Sequence, residues 1–112
     1  MYNRQLTLAQ MARDYVKAGW TQKSIARKDD GDACNVGSPS ATRFCALGAL
    51  YRAAQDLGES YEAADSIRAM LNQLTGGTVV WNDCPDRTQD EVVELYGRLI
   101  RSLALGEIFT IA

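Results

Sequence analysis

The chain has 112 residues, of which 46% are hydrophobic and 23% are charged, and this composition excludes disordered and fibrous classes. Its length suits one domain with a self-sufficient core, so we expect residues 1–112 to form a single domain. No apolar run approaches the roughly 20 residues that cross a bilayer, and the first residues lack the apolar stretch of a signal peptide. We therefore expect a cytoplasmic protein that does not bind membranes.

The net charge of −2 hides an asymmetry along the chain. Residues 1–28 carry six basic residues and one acidic residue, whereas residues 29–112 carry six basic and thirteen acidic residues. A basic arm of this kind can meet nucleic acid, or it can pair with the acidic part of its own molecule or stay solvated. We favour pairing or solvation and keep nucleic-acid binding through the basic N-terminal quarter as an alternative function.

The first helix is predicted over residues 7–18. Thr7-Leu8-Ala9-Gln10 fits a capping box, in which the threonine and glutamine side chains bind free amides of the first turn. Apolar residues then recur at helical spacing, and Gly19 is the expected left-handed terminator.

Residues 20–40 show no helical stripe. An Asp-Gly turn at 29–32 separates two short stretches, 24–28 and 33–36, that favour extended structure. The pattern predicts a turn between two extended arms and leaves open whether the arms pair.

Two longer helices follow, and they should form an antiparallel hairpin because only a short spacer separates them. The first is predicted to begin near residues 40–42 and to end at Leu57, before the terminator Gly58. Its apolar face is broad. The second is predicted over residues 61–74, with Ser60 as its N-cap and two glycines after it.

The last third of the chain combines an extended segment with one more helix. Residues 78–81 are β-branched or aromatic and predict an extended segment. Thr88 and Glu91 fit a second capping box and open the last helix. The alternation at 108–111 is too brief to predict a strand, although this tail could pair with 78–81. These elements predict a mainly α fold, a single compact four-helix domain with one or two short extended segments at about 20–36 and 78–81.

Cys45 is the side chain best placed to be reactive, because it is predicted in the first turn of the second helix. A helix N-terminus lowers the pKa of a thiol and favours a nucleophilic thiolate. The chain contains no histidine, so a Cys-His pair cannot form within one protomer. The alternative is a small buried hydrophobe beside Phe44. We favour this alternative and expect a protein that is not an enzyme.

Metal binding and acid-base chemistry are the remaining options. The odd number of cysteines indicates reduced thiols, and without a C-x-x-C pair or a histidine they do not make a persuasive zinc site, even with Asp83 as a fourth ligand. A cluster of carboxylates is explained by helix capping and solvation. We expect neither a metal nor a cofactor. The cysteines are Cys34, Cys45 and Cys84, and the carboxylates are Asp83, Asp86, Asp90 and Glu91.

Gly48 lies inside the predicted second helix, where it costs about 1 kcal/mol relative to alanine. Such a glycine indicates close packing. We expect a close crossing with another helix, and we keep a pocket floor and a homodimer contact through the Gly48/Ala49 face as alternatives.

Three motifs together resemble a group of small uncharacterised bacterial and phage proteins, often actinobacterial. The pattern is an aromatic-Cys-x-x-Gly-Ala segment, a Trp or Phe before Asn-Asp, and a Thr-x-x-Glu-Val helix start. The resemblance implies no known activity. The motifs are Arg43-Phe44-Cys45-Ala46-Leu47-Gly48-Ala49-Leu50, then Trp81-Asn82-Asp83, then Arg87-Thr88-x-x-Glu91-Val92.

The resemblance also implies that Cys45, Gly48, Asn82 and Asp83 meet in space. The side chains of Asn82 and Asp83 would then bind free amides at the start of the second helix or cap their own turn, and Trp81 would cover them. We treat these five residues as the candidate functional or structural cluster.

The function expected from the sequence is a non-catalytic module that binds another protein, and the resemblance extends this expectation to a phage-borne modulator of a host process. The grounds are the missing histidine and the lack of a recognised catalytic motif. The first alternative is a small enzyme or ligand-binding protein centred on Cys45 with Asn82 and Asp83. The second is the nucleic-acid binder described above.

Overall fold

The computed structural model describes residues 3–106. Within this range the fold is mainly α, but the expected count of four helices is wrong because residues 78–82 form a fifth. A three-stranded antiparallel sheet is also present. The tail at 108–111, whose pairing the sequence leaves open, lies outside the described residues. In chain order the elements are α1 (Arg4–Ala18), β1 (Ala26–Lys28), β2 (Ala33–Cys34), β3 (Ala41–Phe44), α2 (Ala46–Leu57), α3 (Tyr61–Thr75), α4 (Thr78–Asn82) and α5 (Gln89–Ala104).

Helix α1 begins earlier than predicted. Asn3 is its N-cap, and the Asn3 side chain accepts a hydrogen bond from the Leu6 N–H at 3.1 Å, so the capping box at Thr7 is not used. The helix ends as predicted before Gly19, but Gly19 is extended, with φ of −173°, and not left-handed. A Cβ there would lie 2.3 Å from the Thr42 carbonyl oxygen, so close approach of β3 requires the glycine.

The two extended arms do pair. Strand β1 lies at the centre of the sheet, antiparallel to β2 on one side and to β3 on the other. Strand β3 uses residues that were predicted to open the second helix, and this part of the prediction is wrong. Its last residue, Phe44, is held by backbone hydrogen bonds to Gly19 and Thr21, so tertiary contacts decide its conformation.

The core lies where α1 packs against α2 and α5, and α3 packs against α2 and α1. Leucine and isoleucine side chains fill it together with Tyr96, which is fully buried. Burying one such apolar side chain contributes about 2 kcal/mol. No helix within residues 3–106 is long and apolar enough to cross a bilayer.

The ends of the later helices follow the sequence closely. Gly58 and Gly76 adopt left-handed conformations after α2 and α3, where L-residues with a Cβ are strained. The Thr88–Glu91 capping box forms with both of its bonds. Ser60 occupies the N-cap of α3, although its side chain makes no capping bond.

Helix α4 replaces the extended segment predicted at 78–81. Its first residue is held by Asn72, whose side-chain oxygen accepts hydrogen bonds from the Thr78 N–H at 2.9 Å and the Thr78 hydroxyl at 2.6 Å. Its last residue, Asn82, is buried. These anchors at both ends override the β propensity of the two valines between them.

Candidate functional site

Asn82 is the centre of a hydrogen-bond network between three distant segments. It is 1% exposed. Its Oδ1 accepts from the Ala46 N–H at 3.0 Å and from the Trp20 indole N–H at 2.9 Å. Its Nδ2 donates to the Thr21 carbonyl at 3.2 Å and to Asp83 Oδ1 at 3.0 Å. Both donors and the acceptor of the amide are therefore used, and Asn82 holds structure together.

The segment before β1 is tied to the end of α4 by side chains from both. Gln22 donates from Nε2 to the carbonyl oxygens of Asn82, at 2.9 Å, and Cys84, at 2.7 Å. Asp83 Oδ1 accepts from the Lys23 N–H at 2.8 Å. Lys23 is also the only non-glycine residue within 3–106 with a positive φ, 62°, a conformation that is uncommon for side chains other than Asn and Asp.

Cys45 is the N-cap of α2 rather than a residue of its first turn. Its Sγ accepts from the Gly48 N–H at 3.2 Å, and its own N–H donates to the Ile25 carbonyl at 3.3 Å. Burial raises the pKa of the thiol, and the Asp83 carboxylate adds to this, while the N–H groups of Gly48 and Leu47 oppose it. The thiol is therefore protonated near neutral pH, and the structure does not favour a thiolate nucleophile.

Gly48 lies where the base of the β-hairpin crosses α2. A Cβ on Gly48 would stand 1.9 Å from the Ile25 carbonyl oxygen, so the predicted close crossing exists, but its partner is the backbone before β1 and not another helix. Gly48 and Ala49 are buried inside the protomer. The face predicted for a homodimer contact is thus occupied within the chain.

A cleft of about 370 Å³ opens beside these residues. Ile25, Leu47 and Val79 form its apolar wall, and Ile25 and Val79 are 42% and 53% exposed. Val80, the next residue of α4, is 80% exposed. Apolar side-chain surface is therefore left uncovered in the wall of the cleft and at the next residue of α4.

The polar lining of the cleft has two parts. Cys45, Asn82 and Asp83 lie at its base, where their polar atoms take part in the network described above. Lys23 and Arg68 contribute positive charges to the lining. Neither cation forms a salt bridge with a carboxylate in the part of the chain that the structure describes.

The structure thus brings Cys45, Asn82 and Asp83 to one cleft, with Gly48 close behind Cys45. Trp81 is not part of the lining. The centroid of its ring lies 3.8 Å from the Arg87 guanidinium carbon, and its carbonyl oxygen accepts a hydrogen bond from Arg87 Nε. Asn82 binds an amide at the start of α2, as the resemblance implied, whereas Asp83 binds the amide of Lys23.

Sequence reasoning missed several residues of the site. The indole that reaches Asn82 belongs to Trp20, not to Trp81. The cleft residues Lys23, Ile25 and Val79 carried no motif. No local pattern in the sequence distinguished them from core or loop residues.

The remaining acidic side chains have structural roles or lie apart. Glu91 completes the capping box and pairs with Arg87 at 3.1 Å. Hydrogen bonding from the Thr88 N–H is the main reason that the pKa of Glu91 is lowered. Within residues 3–106, no three Cys, His, Asp or Glu side chains are placed to hold one metal ion, so Cys34, Cys45, Cys84 and Asp83 do not form the zinc set considered above.

The basic N-terminal quarter is partly paired within the chain. Arg4 lies 3.7 Å from Glu59, and Arg13 lies 3.6 Å from Asp14. Arg27 directs its guanidinium into its own hairpin, where it donates to the Thr21 hydroxyl at 2.8 Å and the Gly31 carbonyl at 2.9 Å. These contacts reduce the number of cations available to a nucleic acid.

Comparisons with curated proteins and with solved structures found no match. A comparison with protein-family models matched residues 2–102 to a family of unknown function, DUF6197. The match covers α1 to α5 almost completely, including every residue of the cleft. The chain therefore belongs to the DUF6197 family of unknown function.

Proposed function

We propose that this protein is a non-catalytic binding module whose cleft receives an apolar side chain of a partner protein. The observation that carries the proposal is the cleft of about 370 Å³ with its wall of half-exposed Ile25 and Val79. Contiguous exposed apolar surface with a polar border is typical of interaction sites.

The two valines of α4 support the proposal because folding does not account for them. Val79 and Val80 are 53% and 80% exposed, so they add little to the core. β-Branched residues are also weak helix formers, which makes them poor choices for an exposed helical turn. A partner that covers them would explain both features.

The polar base of the cleft favours binding over catalysis. Asn82 has no free donor, and the Cys45 sulfur accepts the Gly48 N–H. Catalysis by Cys45 would need a thiolate, whereas burial raises the pKa of this thiol. A second function, as an enzyme centred on Cys45, therefore lacks the required activated group.

The place of action is part of the same proposal. All three cysteines are free thiols, which suits a reducing compartment such as the cytoplasm. The resemblance to phage proteins extends the proposal to a partner in a bacterial host, where binding would modulate a host process.

A selection from a phage-displayed random peptide library tests this function. Enriched peptides should bind the wild-type protein and lose binding to Val79→Asp, because a carboxylate in the apolar wall opposes burial of an apolar side chain. Leu105→Asp is the matched control: Leu105 is also apolar and 76% exposed but lies at the end of α5. A library without enriched peptides, or peptides lost equally with both variants, contradicts the proposal.

A further inference from the structure

Lys23 combines three features at the mouth of the cleft. It lines the cleft, its backbone is held in the left-handed region at φ of 62°, and its ammonium has no salt-bridge partner among residues 3–106. Strained backbone outside glycine concentrates at functional sites, where the surrounding structure maintains it. Here Asp83 maintains it by accepting the Lys23 N–H at 2.8 Å.

We propose that the cleft recognises a peptide segment in which an apolar residue is accompanied by a carboxylate, and that the Lys23 ammonium binds this carboxylate. This inference rests on the proposed function, because it names the chemistry of the segment that the cleft receives. The apolar side chain lies against Ile25 and Val79, and the carboxylate lies at the rim.

The other charges around the cleft make Lys23 the anchor. Arg68 donates to the Tyr51 hydroxyl at 3.3 Å, and this hydroxyl donates to Asp65 at 2.6 Å, so a nearby acid already offsets the Arg68 charge. Asp83 is the one acid among the lining residues. Its Oδ1 already accepts from two N–H groups, those of Lys23 and the Asn82 side chain. The lining therefore holds two cations and one carboxylate, and Lys23 is the cation of the two whose side chain makes no hydrogen bond within residues 3–106.

The backbone of Lys23 provides a readout that does not depend on any ligand. Glycine adopts the left-handed region without strain. Lys23→Gly should therefore raise the midpoint of thermal unfolding by about 3 °C, while it removes the anchor. If Lys23 served only the stability of the fold, its replacement by glycine would not raise the unfolding midpoint while it weakened binding.

A peptide array with matched pairs tests the inference. Each peptide carries one leucine, and the members of a pair differ only in whether Glu or Gln stands at one other position. For wild-type protein, we expect the best Glu peptides to bind roughly fivefold more tightly than their Gln partners, with the difference reduced at high salt. Lys23→Gln should abolish the difference. Lys17→Gln, at an exposed lysine of α1 outside the cleft, should preserve it.

The outcomes separate this inference from the proposed function. If Glu and Gln peptides bind equally, or if the preference for Glu survives in Lys23→Gln, the carboxylate anchor is wrong while the apolar cleft stands. If Lys23→Gly lowers the unfolding midpoint, the strain argument is wrong. If no peptide of either kind binds in a Val79-dependent manner, the proposed function fails as well.

Discussion

The side-chain oxygen of Asn82 lies 3.0 Å from the backbone nitrogen of Ala46, 36 residues earlier in the chain. Ala46 is the first residue of α2, and the first amides of a helix have no partner within the helix. Asn82 thus supplies from α4 what a local capping side chain supplies elsewhere. The Cys45 sulfur accepts from another amide of this first turn, that of Gly48.

Removal of the Asn82 side chain should destabilise the whole domain. Asn82→Ala leaves the Ala46 N–H, the Trp20 indole N–H and the Thr21 carbonyl without their partner, and we expect the free energy of unfolding to fall by about 3 kcal/mol. Urea denaturation measures this. Asn35→Ala, at an exposed asparagine, should change the free energy by less than about 0.5 kcal/mol. Equal effects of the two variants would contradict the structural role of Asn82.

Replacement by alanine should have opposite effects on the free energy of unfolding at two glycines within helices. Gly48→Ala places a Cβ 1.9 Å from the Ile25 carbonyl oxygen, so we expect a loss of about 3 kcal/mol in the free energy of unfolding. Gly97→Ala places its Cβ 3.4 Å from the flexible Arg101 guanidinium and should gain about 0.7 kcal/mol from helix propensity. A tolerated Gly48→Ala would show that the hairpin base moves away from α2 easily.

The Cys45 thiol should react slowly with alkylating reagents. In a variant with Cys34→Ser and Cys84→Ser, the alkylation rate measured against pH should have a midpoint above the free-thiol value of about 8.5, because burial raises the pKa of Cys45. The same measurement in urea gives the unfolded reference. A midpoint below that reference would restore the thiolate nucleophile and the enzyme hypothesis.

Tyr96 should make the protein sensitive to alkali. Its hydroxyl donates to the Ala46 carbonyl at 2.6 Å, and burial raises its pKa well above the ordinary value. The unfolded side chain ionises at about pH 10. The contribution of Tyr96 to the free energy of unfolding is therefore complete below that pH and is lost as the pH rises above it.

Thermal unfolding against pH measures this contribution. Tyr96→Phe should lower the free energy of unfolding by about 1 kcal/mol at neutral pH and should reduce the alkaline loss of stability. Tyr61→Phe, at an exposed tyrosine, should leave the alkaline loss unchanged. An identical alkaline loss in Tyr96→Phe and wild type would assign the effect to other groups.

The sequence predicted those helix ends that are marked by a capping residue or a terminating glycine. The capping box at Thr88 and the glycines after α2 and α3 act within a few residues, so their effect is visible in sequence. Residues 41–44 and 78–82 behave differently: pairing with β1 makes the first segment a strand, and bonds from Asn72 hold the second as a helix. Both partners lie outside the segment that they fix, and no periodicity within the segment reveals them.

The candidate site shows the same division. The resemblance indicated that Cys45, Asn82 and Asp83 lie together, because a shared motif carries spatial information. The left-handed Lys23 could not be predicted, since lysine rarely adopts that conformation and its cause, Asp83, lies 60 residues away. The choice between Trp20 and Trp81 as the partner of Asn82 also depends on three-dimensional position.

The bonds of Asn82 also bear on the order of folding. They close loops of 36, 61 and 62 residues, to Ala46, Thr21 and Trp20. Long loops lose more chain entropy on closure than a helical turn does, so contacts of this kind form after local ones. The cleft is consequently assembled only in chains that have completed folding, and a partner that binds it would distinguish finished molecules from partly folded ones.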